Sequence, residues 1–185
     1  MGRPVPPALR RVGVIVAIVV LAVGGVAAGV LFFSSRDKSN VPPAVGPGQT
    51  FADQGNRHLT AGAKPGVAYD STPPTSGPHA VKTIRRDGER IDADQLLSAL
   101  ELGNVVLLYP GPGRPPAALR ALQDADSGVL DPALLSTGQQ VVLARYAGVN
   151  GVVAVAWRHL LAVPSAGDPR LKAFVDFWLG RPLGR

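Results

Sequence analysis

From Val12 to Phe33 the chain runs for 22 residues without a charged side chain. As a helix this run would reach roughly 33 Å, enough to cross a hydrocarbon core of about 30 Å. Arg3, Arg10 and Arg11 precede it, and Arg36, Asp37 and Lys38 follow with a smaller positive excess. Positive charge is retained on the cytoplasmic side of a membrane. The sequence therefore predicts residues 1–11 in the cytoplasm, a single transmembrane helix over 12–33, and everything beyond on the outer side of the cell membrane. A cleaved signal peptide would have a shorter apolar core, about 7–15 residues, ending in a small-x-small site. This core ends in Leu31-Phe32-Phe33. Gly25 and Gly29 are four apart within it, a spacing that lets two helices approach closely and admits a homodimer through that face, although a Gly-rich chain also makes such pairs by chance.

Residues 34–50, SSRDKSNVPPAVGPGQT, are polar, proline-rich and without an apolar period. Such a stretch cannot bury enough surface to offset its ordering entropy and reads as a flexible linker. A globular domain is expected over 51–185. Of the net charge of +6, three charges precede the apolar run. From Ser34 onward 16 basic residues face 13 acidic ones, leaving +3, and apart from Arg85-Arg86 the basic residues are scattered. No basic stripe with interleaved aromatics is present, so no nucleic-acid partner is expected. Cysteine is absent, which excludes disulfides, thiolate chemistry, Cys-bound zinc and a lipoprotein anchor.

Within the domain the periodicities give the order α-β-α-β-β-α. Asp92 and Gln95 form a capping box for a helix over Ala93–Leu102, with Leu96, Leu97 and Leu100 as its stripe and Gly103 as its stop. Val105–Tyr109 is an apolar run of strand length. Pro115-Pro116 open a second helix through about Ala125. Gln140–Tyr146 and Val152–Trp157 read as a hairpin turning at Asn150-Gly151. Asp168 and Pro169 start a last helix carrying Leu171, Phe174, Val175 and Trp178. The fold class is thus α+β: a mixed sheet with helices packed on it, in an order also found in thioredoxin-like domains.

The chemistry-bearing residues are few. Pro73-Pro74-Thr75-Ser76-Gly77-Pro78 is a stiff loop that ends by presenting His79. His58 lies in the same loop-rich part and can converge with it, although spacing alone favours structural hydrogen bonding for both; His159 reads as an ordinary, partly exposed strand-end histidine. Glu101 sits near a helix C-terminus, the unfavourable end of the dipole for an acid, which points to a partner. Ser76 and Ser98 lie in no G-x-S-x-G elbow. Gly111-Pro112-Gly113 lacks the glycine that would complete a phosphate-binding loop.

Pro73 to His79, then Ala99-Leu100-Glu101-x-Gly103-Asn104-Val105-Val106 and Tyr109-Pro110, together resemble a bacterial family of unknown function, DUF3105. So do the upstream His58 and Ala156-Trp157. The resemblance spans about residues 57–180 and implies a membrane-anchored envelope protein. Its pattern around the first helix reads like H-x-L-E-H-G, two histidines four apart beside a glutamate. That spacing, with histidines equivalent to His58 and His79, implies a metal site for the family. Here the two helix positions are Ser98 and Leu102, leaving His58, His79 and Glu101. The leading expectation is a membrane-anchored extracytoplasmic domain that works by non-enzymatic binding or assembly, with a degenerate site and no cofactor. The alternative is a copper- or zinc-binding envelope protein using His58, His79 and Glu101.

Overall fold

A computed structural model of the chain describes residues 45–184. The expected transmembrane helix, its Gly25–Gly29 face and most of the linker lie outside the described residues. Among the described residues, no helix is long and apolar enough to cross a membrane.

These residues form a mixed α+β domain. Its strands are β1 (Gln49–Thr50), β2 (His58–Leu59), β3 (His79–Ala80), β4 (Glu89–Arg90), β5 (Val105–Tyr109), β6 (Val141–Arg145), β7 (Val152–Ala156) and β8 (His159–Val163). Its helices are α1 (Ala93–Leu102), α2 (Ala117–Asp126), α3 (Pro132–Ser136) and α4 (Arg170–Trp178). Six strands make one sheet in the order β1-β8-β7-β5-β6-β4, and β2 pairs with β3 apart from it. β4, β5 and β6 run parallel, while β7 is antiparallel to β5 and β8 to β7.

Every residue of β5 is buried, because helices cover both faces. Val106 and Leu108 pack with Leu96, Leu97 and Leu100 of α1 and with Trp157. Val105, Leu107 and Tyr109 pack with Leu119 of α2 and with Leu171, Phe174, Val175 and Trp178 of α4. A strand buried on both sides reads as a continuous apolar run, as β5 does.

The capping box on α1 is formed. Asp92 Oδ1 accepts from the Gln95 N–H at 2.9 Å, and Gln95 Oε1 accepts from the Asp92 N–H at 3.2 Å. Gly103 ends the helix at φ 108°, a left-handed value that favours glycine. Asp168 accepts from the Arg170 N–H at 3.0 Å and so caps α4.

The expected β6–β7 hairpin does not form. β5 lies between the two strands, and residues 146–151 carry the chain across its end. The hairpin is β7–β8 instead, turning through Trp157-Arg158 with Arg158 at φ 66°. The expected thioredoxin-like order placed its final hairpin one strand too early. Trp-Arg is not a turn dipeptide, so nothing local divides Val152–Val163 into two strands. Residues 45–50, read as linker, also belong to the packed domain. Gln49 and Thr50 pair with Leu160 and His159, and Trp178 Nε1–H donates to the Pro47 carbonyl at 2.9 Å.

Candidate metal centre

β2 and β3 are parallel, and His58 and His79 are register partners across them. Two-residue strands are marginal alone; the loop before β3 fixes this pair. Pro73 to Ala80 are all buried, unusual for a loop, whose polar backbone normally needs water. Protein groups replace that water. Ser76 Oγ donates to the Ala52 carbonyl and accepts from the Gln54 N–H, both at 3.1 Å. The Gly77 N–H donates to the Gly55 carbonyl at 2.8 Å, and the Arg158 N–H to the Thr75 carbonyl at 2.9 Å. Tyr69 closes the loop from outside, its hydroxyl donating to the Pro78 carbonyl at 2.8 Å. Ser76 therefore holds backbone in place, and its hydroxyl hydrogen bonds among the described residues go to backbone and not to a histidine.

His79 is fully buried, with Trp157 edge-on at 6.4 Å between ring centroids. Its Nδ1 lies 2.9 Å from the Gly77 carbonyl. A carbonyl can only accept, so Nδ1 carries the proton, and in a neutral imidazole Nε2 then presents a lone pair. That Nε2 is buried without a hydrogen-bond partner and lies 3.2 Å from Glu101 Oε2. Two lone pairs so placed repel each other unless a cation, a proton or a metal ion, lies between them.

Glu101 reaches the pair from the last turn of α1. Its Oε2 is also 2.9 Å from His58 Nε2, and its Oε1 accepts from Asn56 Nδ2 at 3.0 Å. The imidazole centroids are 5.4 Å apart. One ligand atom from each of His58, His79 and Glu101 lies within 4.8 Å of the others. His79 is the buried end of the group, and His58, with its side chain 52 % exposed, is the open end. The partner to which the dipole mismatch of Glu101 pointed is thus this pair of histidines with Asn56. Nothing in the sequence marks Asn56 or the Gly77 carbonyl as the groups that orient Glu101 and His79.

The two positions where the resemblance implies histidines are near the site. Ser98 Oγ accepts from the Lys82 N–H at 3.0 Å and donates to the Ala80 carbonyl at 3.4 Å, tying α1 to the end of β3. Leu102 is 43 % exposed. Both line a mostly apolar cleft of about 220 Å³ whose wall includes His58 and Glu101. His159 is remote from the group and buried, not partly exposed as expected.

Over residues 61–183 the chain matches the family described as protein of unknown function, DUF3105. The chain belongs to that family. His79, Glu101 and the whole of α1 fall within the DUF3105 match, and His58 lies just before it. No curated protein and no solved structure matches the chain.

Proposed function

We propose that this domain binds one divalent transition-metal ion, zinc or copper, through His58 Nε2, His79 Nε2 and Glu101 Oε2. The reading rests above all on His79. Its Nδ1–H is committed to the Gly77 carbonyl, the arrangement that orients metal-ligating imidazoles and fixes their tautomer. Its buried Nε2 then presents a lone pair that has no hydrogen-bond partner and lies 3.2 Å from a carboxylate oxygen, where a cation relieves the repulsion. Two imidazoles and a carboxylate suit zinc or copper. Asn56 holds the second carboxylate oxygen, so Glu101 is oriented as well. Three protein donors leave a coordination position for water or another ligand, as in sites that act on what they bind.

The apolar run over 12–33 would hold the site outside the cytoplasmic membrane, tethered to it. A reporter fused after Arg185 and active only in the cytoplasm would overturn that topology.

The test of the metal reading is titration of the chelator-stripped full-length chain in detergent with zinc and with copper(II). One equivalent should bind and raise the melting temperature, since a ligand of the folded state stabilises it. His79→Ala should abolish both effects. No saturable binding, or binding indifferent to His79→Ala, would refute the assignment.

A further inference from the structure

The three parallel strands end together on a different side of the fold. Register places Tyr109, Arg145 and Arg90 in one row across β5, β6 and β4. After β4 the chain enters α1 on one face of the sheet; after β5 it enters α2 on the other. Beyond the end of β6, between these diverging connections, two concavities of about 300 Å³ each share Pro112 and Arg145. Arg90 lines one and Arg114 the other. In open α/β sheets, ligands bind outside the carboxyl ends of the strands where connections leave to opposite faces.

The chemistry of this crevice is that of an anion site. Arg90, Arg114 and Arg145 make no ion pair among the described residues. Arg145 is held by two carbonyls, Nε–H donating to Gly88 at 2.8 Å and Nη1–H to Pro112 at 3.3 Å. That fixes the plane of its guanidinium and leaves Nη2 for a ligand. The one acid of the lining, Asp87, is already committed. Its carboxylate accepts from Arg120, Gln123 and the N–H groups of Leu130 and Leu143. A buried polar group lies behind the Gly88 part of this lining. The buried Tyr109 hydroxyl has no hydrogen-bond partner, and it stands next to Gly88, where an added Cβ would come within 3.0 Å of it.

We infer that this crevice binds a phosphate group, carried on a phosphomonoester. Planar guanidinium groups recognise phosphate through paired N–H donors. Tyr146 and Val149, which line the Arg90 side, offer an apolar surface for the organic part of the ester. The inference is independent of the metal reading and involves none of its residues.

The test uses the full-length chain in detergent, titrated by calorimetry with inorganic phosphate and with phenyl phosphate. Saturable binding is expected, tighter for the ester. Arg90→Gln with Arg114→Gln, two exposed positions, should weaken it by about tenfold or more without lowering the melting temperature. Arg57→Gln with Lys64→Gln, which removes equal charge elsewhere, should leave it unchanged. The source of the phosphate is read by reconstituting the chain in vesicles of phosphatidylcholine alone or with phosphatidic acid. Phosphatidic acid that competes with phenyl phosphate identifies a lipid headgroup, and one that does not identifies a soluble ester. No saturable binding of either phosphate, or equal weakening by both double substitutions, would overturn the proposal.

Discussion

His159 lies flat against Trp178, with ring centroids 3.6 Å apart and planes 17° from parallel. Its Nδ1 is 3.2 Å from the Thr50 hydroxyl. Burial, and then the charge of Arg158, push the imidazole down to about 4. In the unfolded chain a histidine titrates near 6.5, so on acidification the unfolded state takes up this proton first. Stability is therefore complete above about pH 6.5 and drains away toward about pH 4, by roughly 3 kcal/mol in all. Urea unfolding at about pH 7 and about pH 4.5 measures the loss. His159→Phe should lose distinctly less than the unmodified chain between those two points; equal losses would place the sensitivity elsewhere.

Trp178 is the centre of the α4 contact. It is 1 % exposed, meets Phe177 edge-on at 4.7 Å, and donates its indole N–H to the Pro47 carbonyl. Truncation to Ala should cost about 3–5 kcal/mol. Because the same residue holds Pro47, the variant should also expose residues 45–50 to proteolysis. Chemical denaturation and limited digestion test the two effects separately, and a stability loss of a few tenths would show that the packing is not as described.

Restoring the helix histidines should strengthen metal binding at a structural cost. Positions 98 and 102 are four apart on α1, so their side chains share a face, and both line the cleft beside His58 and Glu101. Ser98→His removes the hydroxyl that pairs with the Lys82 N–H and the Ala80 carbonyl. The double variant Ser98→His, Leu102→His should melt lower without metal and bind zinc more tightly than the unmodified chain. No gain in affinity would mean that these positions do not address the same ion as His79.

Gly77 should be unable to accept a side chain. It sits at φ 129°, and a Cβ there would lie 2.8 Å from Cε1 of the Tyr69 ring. Gly77→Ala should destabilise by about 1–3 kcal/mol and, by displacing the carbonyl that orients His79, weaken zinc binding. Gly62→Ala is the control: φ is also positive, but nothing lies within 4 Å. It should share some of the strain and keep the zinc affinity.

What the sequence made legible follows the range of the forces involved. α1 could be bounded from Asp92, Gln95 and Gly103 because capping is local. β5 showed as five consecutive apolar residues because both its faces are covered. The pairing of strands is not local. Asn150-Gly151 is a strong turn signal, yet the strands it joins are separated by β5, which arrives from 40 residues upstream. The short α3 has one cap and one buried side chain, Leu135, too little for an apolar period to show. At the site, Glu101 betrayed itself through the helix dipole, His79 through the proline-rich loop that ends on it, and His58 only through the loop-rich part that the two share. The residues that aim them, Asn56 and Gly77, act through an amide and a carbonyl that any residue of their kind offers, so they carry no sequence mark.

Gln49 and Thr50 make a ladder of only two residues, yet that ladder covers the His159–Leu160 part of the outer edge of β8. An uncovered strand edge is a template on which another chain can add itself. β8 carries Leu160, Leu161 and Val163, so an uncovered copy would be sticky as well as hydrogen-bonding. Pro47, two residues before the ladder, has no N–H to extend it. The stretch that reads as the tail of a linker therefore works as a cover strip. A domain excised at Phe51 would keep its core and its histidines and lose that cover, leaving it prone to stack on its own kind.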